Sequence, residues 1–299
     1  MEPSNMSQKQ AILGIGASGL IGSRLGELLS DRYQFVNLSL ETGVDITRPE
    51  TLRVIEQYET NSLVLHLAAK ADVDDCEKDQ PLGKDGDCWK INVLGTQNVV
   101  DICRDKNMKI AYISTDFVFD GENPPDGGYT EESIPTPINW YGQTKLQGEE
   151  VVRASGIPYL ILRLAYPYRK PFPLKKDFVQ EILSRLREGQ TVSAITDHIM
   201  TPTFVDDIAY AFDALLQKGA TGMYHIVGSQ YVTPYDTAIR IAQAFGFDQS
   251  LVQKTTREVY FAGRAQRPFN LSLSNAKIHK LGIQMKTFEE GLEALKKQV

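Results

Sequence analysis

The feature that most restricts how this chain can fold is the run GIGASGLIG, which puts glycine at positions 14, 16, 19 and 22. It follows a short apolar run at 11–16 and opens a segment, 19–29, whose apolar residues recur at helical spacing. A strand, a glycine turn and a helix in that order form the phosphate end of a dinucleotide site. Glycine permits the tight turn and the close approach of backbone amides to a pyrophosphate, and the helix N-terminus favours its charge. The competing reading is a merely flexible turn; the flanking strand and helix favour the cofactor.

The alternation continues along the chain. Strand-like runs at 35–40, 63–68, 110–114, 159–164 and 222–227 are interleaved with helix-forming stretches at 89–103, 141–152, 178–188, 207–217, 235–245 and 287–297. This pattern predicts an α/β protein with a Rossmann-type doubly wound parallel sheet and a smaller C-terminal α/β substrate-binding lobe. A disordered or extended tail is expected at 1–10 and a dinucleotide-binding domain at 11–168. The substrate lobe takes most of 169–299, with segments returning to the Rossmann sheet. Residues 121–137 are a Pro- and Gly-rich loop, and 166–176, with three prolines and a basic cluster, marks the boundary between lobes.

Composition narrows the function. At 42% hydrophobic and 23% charged residues the 299-residue chain is an ordinary globular one, and its formal charge of -6 argues against a nucleic-acid partner. Cys76, Cys88 and Cys103 lack the paired spacing of a zinc site or redox dithiol, so buried or incidental thiols and no metal are expected. The first ten residues are polar and no run approaches the roughly 20 apolar residues of a membrane span, which predicts a cytoplasmic protein without a membrane anchor.

Tyr141 and Lys145 stand four apart in YGQTK, so a helix would carry both on one face. A tyrosine is a poor acid-base group near neutrality until a neighbouring ammonium stabilises its phenolate. The strand ending in Ser114, Thr115 and Asp116 precedes the pair and supplies a hydroxyl for a substrate carbonyl. At the end of the second strand, where NAD enzymes often carry an acid for the ribose hydroxyls, this chain has Ser39, with Glu41 two residues on. The missing acid removes a repulsion against a 2′-phosphate and Arg24 is close enough in sequence to approach one, so NADP(H) is favoured over NAD(H).

Glycine turn, threonine and YxxxK together resemble the extended short-chain dehydrogenase/reductase family. The match is closer to its dTDP-4-dehydrorhamnose reductase branch, through STDFVFDG at 114–121, YxEExxPxPxNxYGxTKxxGE at 129–149 and AQRPFNLSL at 265–273. The regulatory beta subunit of methionine adenosyltransferase is similar over the same segments. The resemblance implies that Thr115 orients a keto oxygen, Tyr141 donates the proton, and Lys145 binds the nicotinamide ribose and lowers the tyrosine pKa. It also implies cofactor contacts at Gly16, Ser18, Gly19, Leu20 and Ile21 in the turn, at Ser39, at Asp45 and Ile46 beside the adenine, and at Ala68, Ala69 and Lys70. Asn92 would lie behind the site, and Asp116, Phe117, Val118, Tyr166 and Arg267 would bind substrate.

Phe117 and Tyr166 stand where the branch commonly has tyrosine and tryptophan, and Arg169 stands where it has glycine. Arg264, Arg267 and Asn270 are candidates for a diphosphate. His198 and His225 lack partners that would make them metal ligands or bases. The expected function is an NAD(P)H-dependent reductase of a 4-keto nucleotide-sugar. The alternatives are a non-catalytic cofactor-binding regulatory subunit and a nucleotide-sugar epimerase or dehydratase, the dehydratase being disfavoured by Phe117 in place of glutamate after Asp116. A homodimer is compatible with the sequence.

Overall fold

An apolar five-residue strand such as AILGI needs cover on both faces, and a parallel sheet wrapped by helices provides it. The computed structural model describes residues 9–299, so residues 1–8 of the expected tail lie outside the described residues. Ten strands follow in order: β1 Ala11–Ile15, β2 Gln34–Leu38, β3 Leu63–His66, β4 Lys109–Thr115, β5 Tyr159–Leu164, β6 Pro167–Tyr168, β7 Val192–Ile195, β8 Thr203–Phe204, β9 Gly222–His225 and β10 Val252–Thr255. The helices are α1 Leu20–Leu29, α2 Val73–Asp79, α3 Asp87–Trp89, α4 Thr96–Asp105, α5 Trp140–Arg153, α6 Phe178–Arg187, α7 Val205–Gln217, α8 Pro234–Phe245, α9 Arg257–Tyr260, α10 Ala276–His279 and α11 Phe288–Lys296.

The main sheet runs β2-β1-β3-β4-β5-β9 and is parallel throughout. Side-chain alternation sends Ile12, Leu65 and Leu162 to one face, where they meet Leu25 of α1 and Ile208 and Phe212 of α7. Leu13, Val64 and Ile161 go to the other, against Val99 and Val100 of α4 and Val152 of α5. The chain is thus a Rossmann-like sheet flanked by helices. A separate core joins β7 and β10, which pair in parallel, to α6, α8 and α11.

Three local expectations change. The helix expected at 89–103 is broken into α3, a π-helical turn at Lys90–Gly95, and α4. Cys76 on α2 and Cys88 on α3 form a disulfide with Cα atoms 5.3 Å apart, because the turns at 80–85 fold α3 back beside α2; only Cys103 stays a free, buried thiol among the described residues. Arg24 is not available to a phosphate. It is buried, and its Nε and Nη2 grip the two oxygens of Asp206 on α7, each at 2.7 Å, while Nη1 donates to Glu27 at 2.7 Å. Asp206 is remote in sequence, so nothing near Arg24 announces this pairing.

Arg24→Ala leaves the Asp206 carboxylate buried without its fork, and chemical denaturation is expected to show a loss of about 3–5 kcal/mol, with double replacement by apolar residues recovering much of it. A loss below about 1 kcal/mol would remove Arg24 from the framework. Burial also keeps His66, His198 and His225 neutral, with pKa values lowered to about 3, 4 and 3 from an ordinary 6.5. The unfolded chain therefore takes up more protons than the fold below pH 6.5, and stability falls from there toward pH 3 to 4. A Tm that declines from pH 6.5 downward, and declines less in His225→Gln, is the expected result; a Tm flat from pH 6.5 to 5 contradicts it.

Candidate active site

At the C-terminal end of β1, Gly16 has φ +77°, in the left-handed region, and a Cβ built on it would lie 2.8 Å from Ala68 N. Its own N–H donates to Leu38 O at 2.8 Å. At Gly22 a Cβ would meet Ala17 Cα at 2.5 Å, so α1 rests on the turn only because residue 22 has no side chain. Gly19 caps α1, whose first turn carries no acid, leaving its amides without a carboxylate competitor. Gly16, Gly19, Leu20 and Ile21 line one wall of a cavity of about 450 Å³, a cradle that fits a pyrophosphate.

The facing wall comes from β4 and α5. The Asn139 side chain caps α5 by accepting from Gly142 N at 2.8 Å, which starts the helix where Tyr141 and Lys145, one turn apart, both face this cavity. Thr115, Asp116, Phe117 and Tyr166 complete it, and Ala69 also lines the cavity. Thr115 Oγ1 donates to Asp116 Oδ1 at 3.0 Å and accepts from Phe117 N at 3.3 Å. Asp116 Oδ2 has no partner, and burial pushes this carboxyl up to about 7.

The Tyr141 phenol is pushed up to about 12, chiefly by burial, with Thr115 acting in the opposite direction and Asp116 reinforcing the rise. Lys145 does not lower it here: its Nζ donates to Ile113 O at 2.8 Å and sits 4.1 Å from the Tyr112 ring centroid, and burial brings its own pKa down to about 7 against the pull of Glu149. Tyr166 takes a strained φ of +42°. His198 Nδ1 lies 2.8 Å from Pro268 O, which can only accept, so Nε2 is the acceptor for the Tyr166 hydroxyl at 2.8 Å.

Other expected residues lie around this cavity rather than in its wall. Ser39 is buried at the C-terminal end of β2, and Ala68 packs on Gly16. Ser18 is half-buried in the turn. Asp45 is engaged by Thr47, which donates from N at 2.9 Å and Oγ1 at 2.7 Å, while Ile46 is a core residue against Gly95. Lys70 is held by its backbone: Asn92 Oδ1 accepts from Lys70 N at 2.9 Å, and Asn92 Nδ2 donates to Lys70 O at 3.0 Å and to Thr144 Oγ1 at 2.9 Å. Val118 belongs to the core.

Arg267 is drawn away from the cavity. Its guanidinium pairs with Asp74 at 2.9 Å, Arg264 donates from Nε to the same carboxylate at 2.7 Å, and both stack on Phe261 beside a separate cavity of about 520 Å³. Asn270 donates its backbone N–H to Gly121 O. Arg169 is fully buried under the glycine turn, donating to Leu20 O at 3.0 Å and Ser23 Oγ at 2.8 Å, so the departure from glycine braces α1. Glu149 has no role in the sequence analysis, although its position eight residues after Tyr141, on the same helix face, is a usable signal; it follows Lys145 by one turn of α5 and is buried in a cluster with Ser114 and Arg163. Among the described residues no group of three or more His, Cys, Asp or Glu is placed to hold a metal, and no helix is long and apolar enough to cross a membrane.

Comparison with known proteins gives the family and the fold. A probable low-salt glycan biosynthesis reductase, Agl14, of Haloferax volcanii is 32% identical over 94% of this chain and 95% of its own length. The methionine adenosyltransferase 2 subunit beta of Mus musculus is 32% identical over 98% of this chain and 88% of its own. The crystal structure of dTDP-4-dehydrorhamnose reductase from Bacillus anthracis in complex with NADP superposes with a TM-score of 0.88 at 28% identity, covering 98% of this chain and 100% of that one. The family described as the RmlD substrate binding domain matches residues 10–299, and the chain belongs to that family.

Proposed function

We propose that the chain is an NAD(P)H-dependent reductase of a 4-keto nucleotide-sugar. The observation that carries this reading is the single cavity in which the glycine turn of β1 and α1 faces Thr115, Tyr141 and Lys145. The dihydronicotinamide, when bound, supplies hydride to a carbonyl carbon. The oxygen left behind becomes an alkoxide, far more basic than a phenolate, and needs a proton at once. Tyr141, held protonated by burial, is a donor at neutral pH, which favours reduction over oxidation.

The Thr115 hydroxyl, which gives its one proton to Asp116 Oδ1 in the protein alone, would turn that proton to the carbonyl oxygen when substrate is bound. Lys145 would meet the nicotinamide ribose, and Ala69 and Lys70 would lie along the cofactor. A second cavity of about 580 Å³ shares Tyr166 with the first and is walled by Phe178, Ile195, Met200 and Tyr260, surfaces suited to a nucleotide base. With Arg24 committed to Asp206, NADP(H) is favoured by Ser39, where no carboxylate repels a 2′-phosphate, and by the likeness to the reductase solved in complex with NADP. A second reading, a cofactor-binding subunit without turnover, is favoured by the likeness to the mouse adenosyltransferase subunit over 98% of the chain.

Absorbance at 340 nm with NADPH or NADH and a panel of 4-keto nucleotide-sugars is expected to show turnover that Tyr141→Phe lowers by about 100-fold or more, with the NADPH Kd kept within about threefold. Tight NADPH binding without turnover on any of them would favour the subunit reading; unchanged turnover in Tyr141→Phe would remove the proton donor. Ser39→Asp is expected to raise the Kd for NADPH roughly tenfold by repulsion while leaving that for NADH nearly unchanged. An equal loss for both dinucleotides would remove Ser39 from the 2′-phosphate position.

A further inference from the structure

Lys145 is buried, and its ammonium has one hydrogen-bond partner, Ile113 O. The titratable groups around it come from five elements. His66 on β3 is neutral and supplies no charge. Tyr112 on β4 offers its ring face. Tyr141 and Glu149 share α5 with Lys145, and beyond Glu149 stand Arg163 of β5 and His225 of β9, with Arg163 Nη1 3.5 Å from His225 Nε2. Asp116, directly after β4, and Lys175, ahead of α6, line the same cavity as Lys145; with the Asp116 carboxyl pushed up to about 7 by burial, Glu149 is the anion that acts on Lys145.

A fully buried carboxylate would take up a proton rather than stay charged unless its oxygens were satisfied. Arg163 satisfies them, donating from Nε at 2.8 Å and from Nη2 at 2.7 Å, and Ser114 Oγ adds a third bond at 2.6 Å. Arg163 is itself pinned over the Phe119 ring. Since Ser114 adjoins Thr115, and Tyr141, Lys145 and Glu149 recur every fourth residue on α5, this cluster ties the helix face to the strand end that completes the site.

We propose that Glu149, held by Arg163 and Ser114 one turn after Lys145 on the buried face of α5, is a positioning residue whose charge acts on the Lys145 ammonium, with Arg163 and Ser114 fixing that charge in place. This rests on Lys145 being the group that meets the cofactor. The test needs neither substrate nor turnover: the protein is labelled with lysine carrying ¹³C at Cε, the Lys145 signal is assigned from Lys145→Met, and its midpoint is followed by NMR as pH is raised.

Glu149→Gln is expected to lower the Lys145 midpoint by about one pH unit or more, and Glu149→Asp, which keeps the anion, to hold it within about half a unit. Arg163→Gln leaves the buried carboxylate without the fork that satisfies it and is expected to lower the midpoint in the same direction; should Glu149→Gln not fold, that direction decides alone. A Glu149→Gln protein that loses thermal stability while Lys145 titrates as before makes Glu149 structural only and overturns the proposal, as does a midpoint that is unmoved or raised in Arg163→Gln. A midpoint that moves as expected while Lys145→Met binds NADPH as tightly as wild type instead overturns the assignment of Lys145 to the cofactor.

Discussion

The seat of α1 on the turn after β1 governs the arrangement around it. Gly22 lies so close to Ala17 that no side chain fits between them, and Gly16 turns the chain in a conformation that also brings it against Ala68. That approach aims the start of α1 into the cavity, and the structure is braced to hold it. Arg24 ties α1 to α7, Arg169 hydrogen-bonds its first turn from below, and Ile12 and Leu65 pack its inner face. A buried arginine on the helix and another reaching it from the segment after β6 thus fix the backbone at the start of α1.

Across the cavity, burial decides the chemistry. Tyr141 is held as the protonated phenol, Asp116 is shifted to near neutrality, and Lys145 is brought close to losing its charge. A tyrosine and a lysine at helical spacing suggest a phenol made acidic by an ammonium, but that inference assumes the ammonium faces the phenol. In the protein alone it faces Ile113 O and the Tyr112 ring. A protonated Tyr141 still suits reduction, where a proton must be delivered.

The sheet, the glycine turn, and the meeting of Thr115, Tyr141 and Lys145 were legible in the sequence because each rests on local pattern: apolar runs, glycine spacing and a four-residue interval on one helix. What was not legible involves partners remote in the chain. Arg24 finds Asp206 and Arg267 finds Asp74, and in both cases arginines that looked free for phosphate are spent on carboxylates brought near only by the fold. The Cys76–Cys88 pair depends on how α3 folds back on α2, which the spacing of twelve residues does not reveal. Glu149 lies between these cases: its spacing was visible, but its meaning depends on Arg163 from the neighbouring strand.

If the close seat of α1 on the turn makes the dinucleotide site, a fluorescence titration of NADPH into Gly22→Ala beside the wild type, with circular dichroism on both, reads it most directly. The added methyl group would have to push α1 from Ala17, and a folded protein whose NADPH affinity falls by about tenfold or more is the predicted result. A folded Gly22→Ala protein that binds NADPH as tightly as the wild type would contradict it.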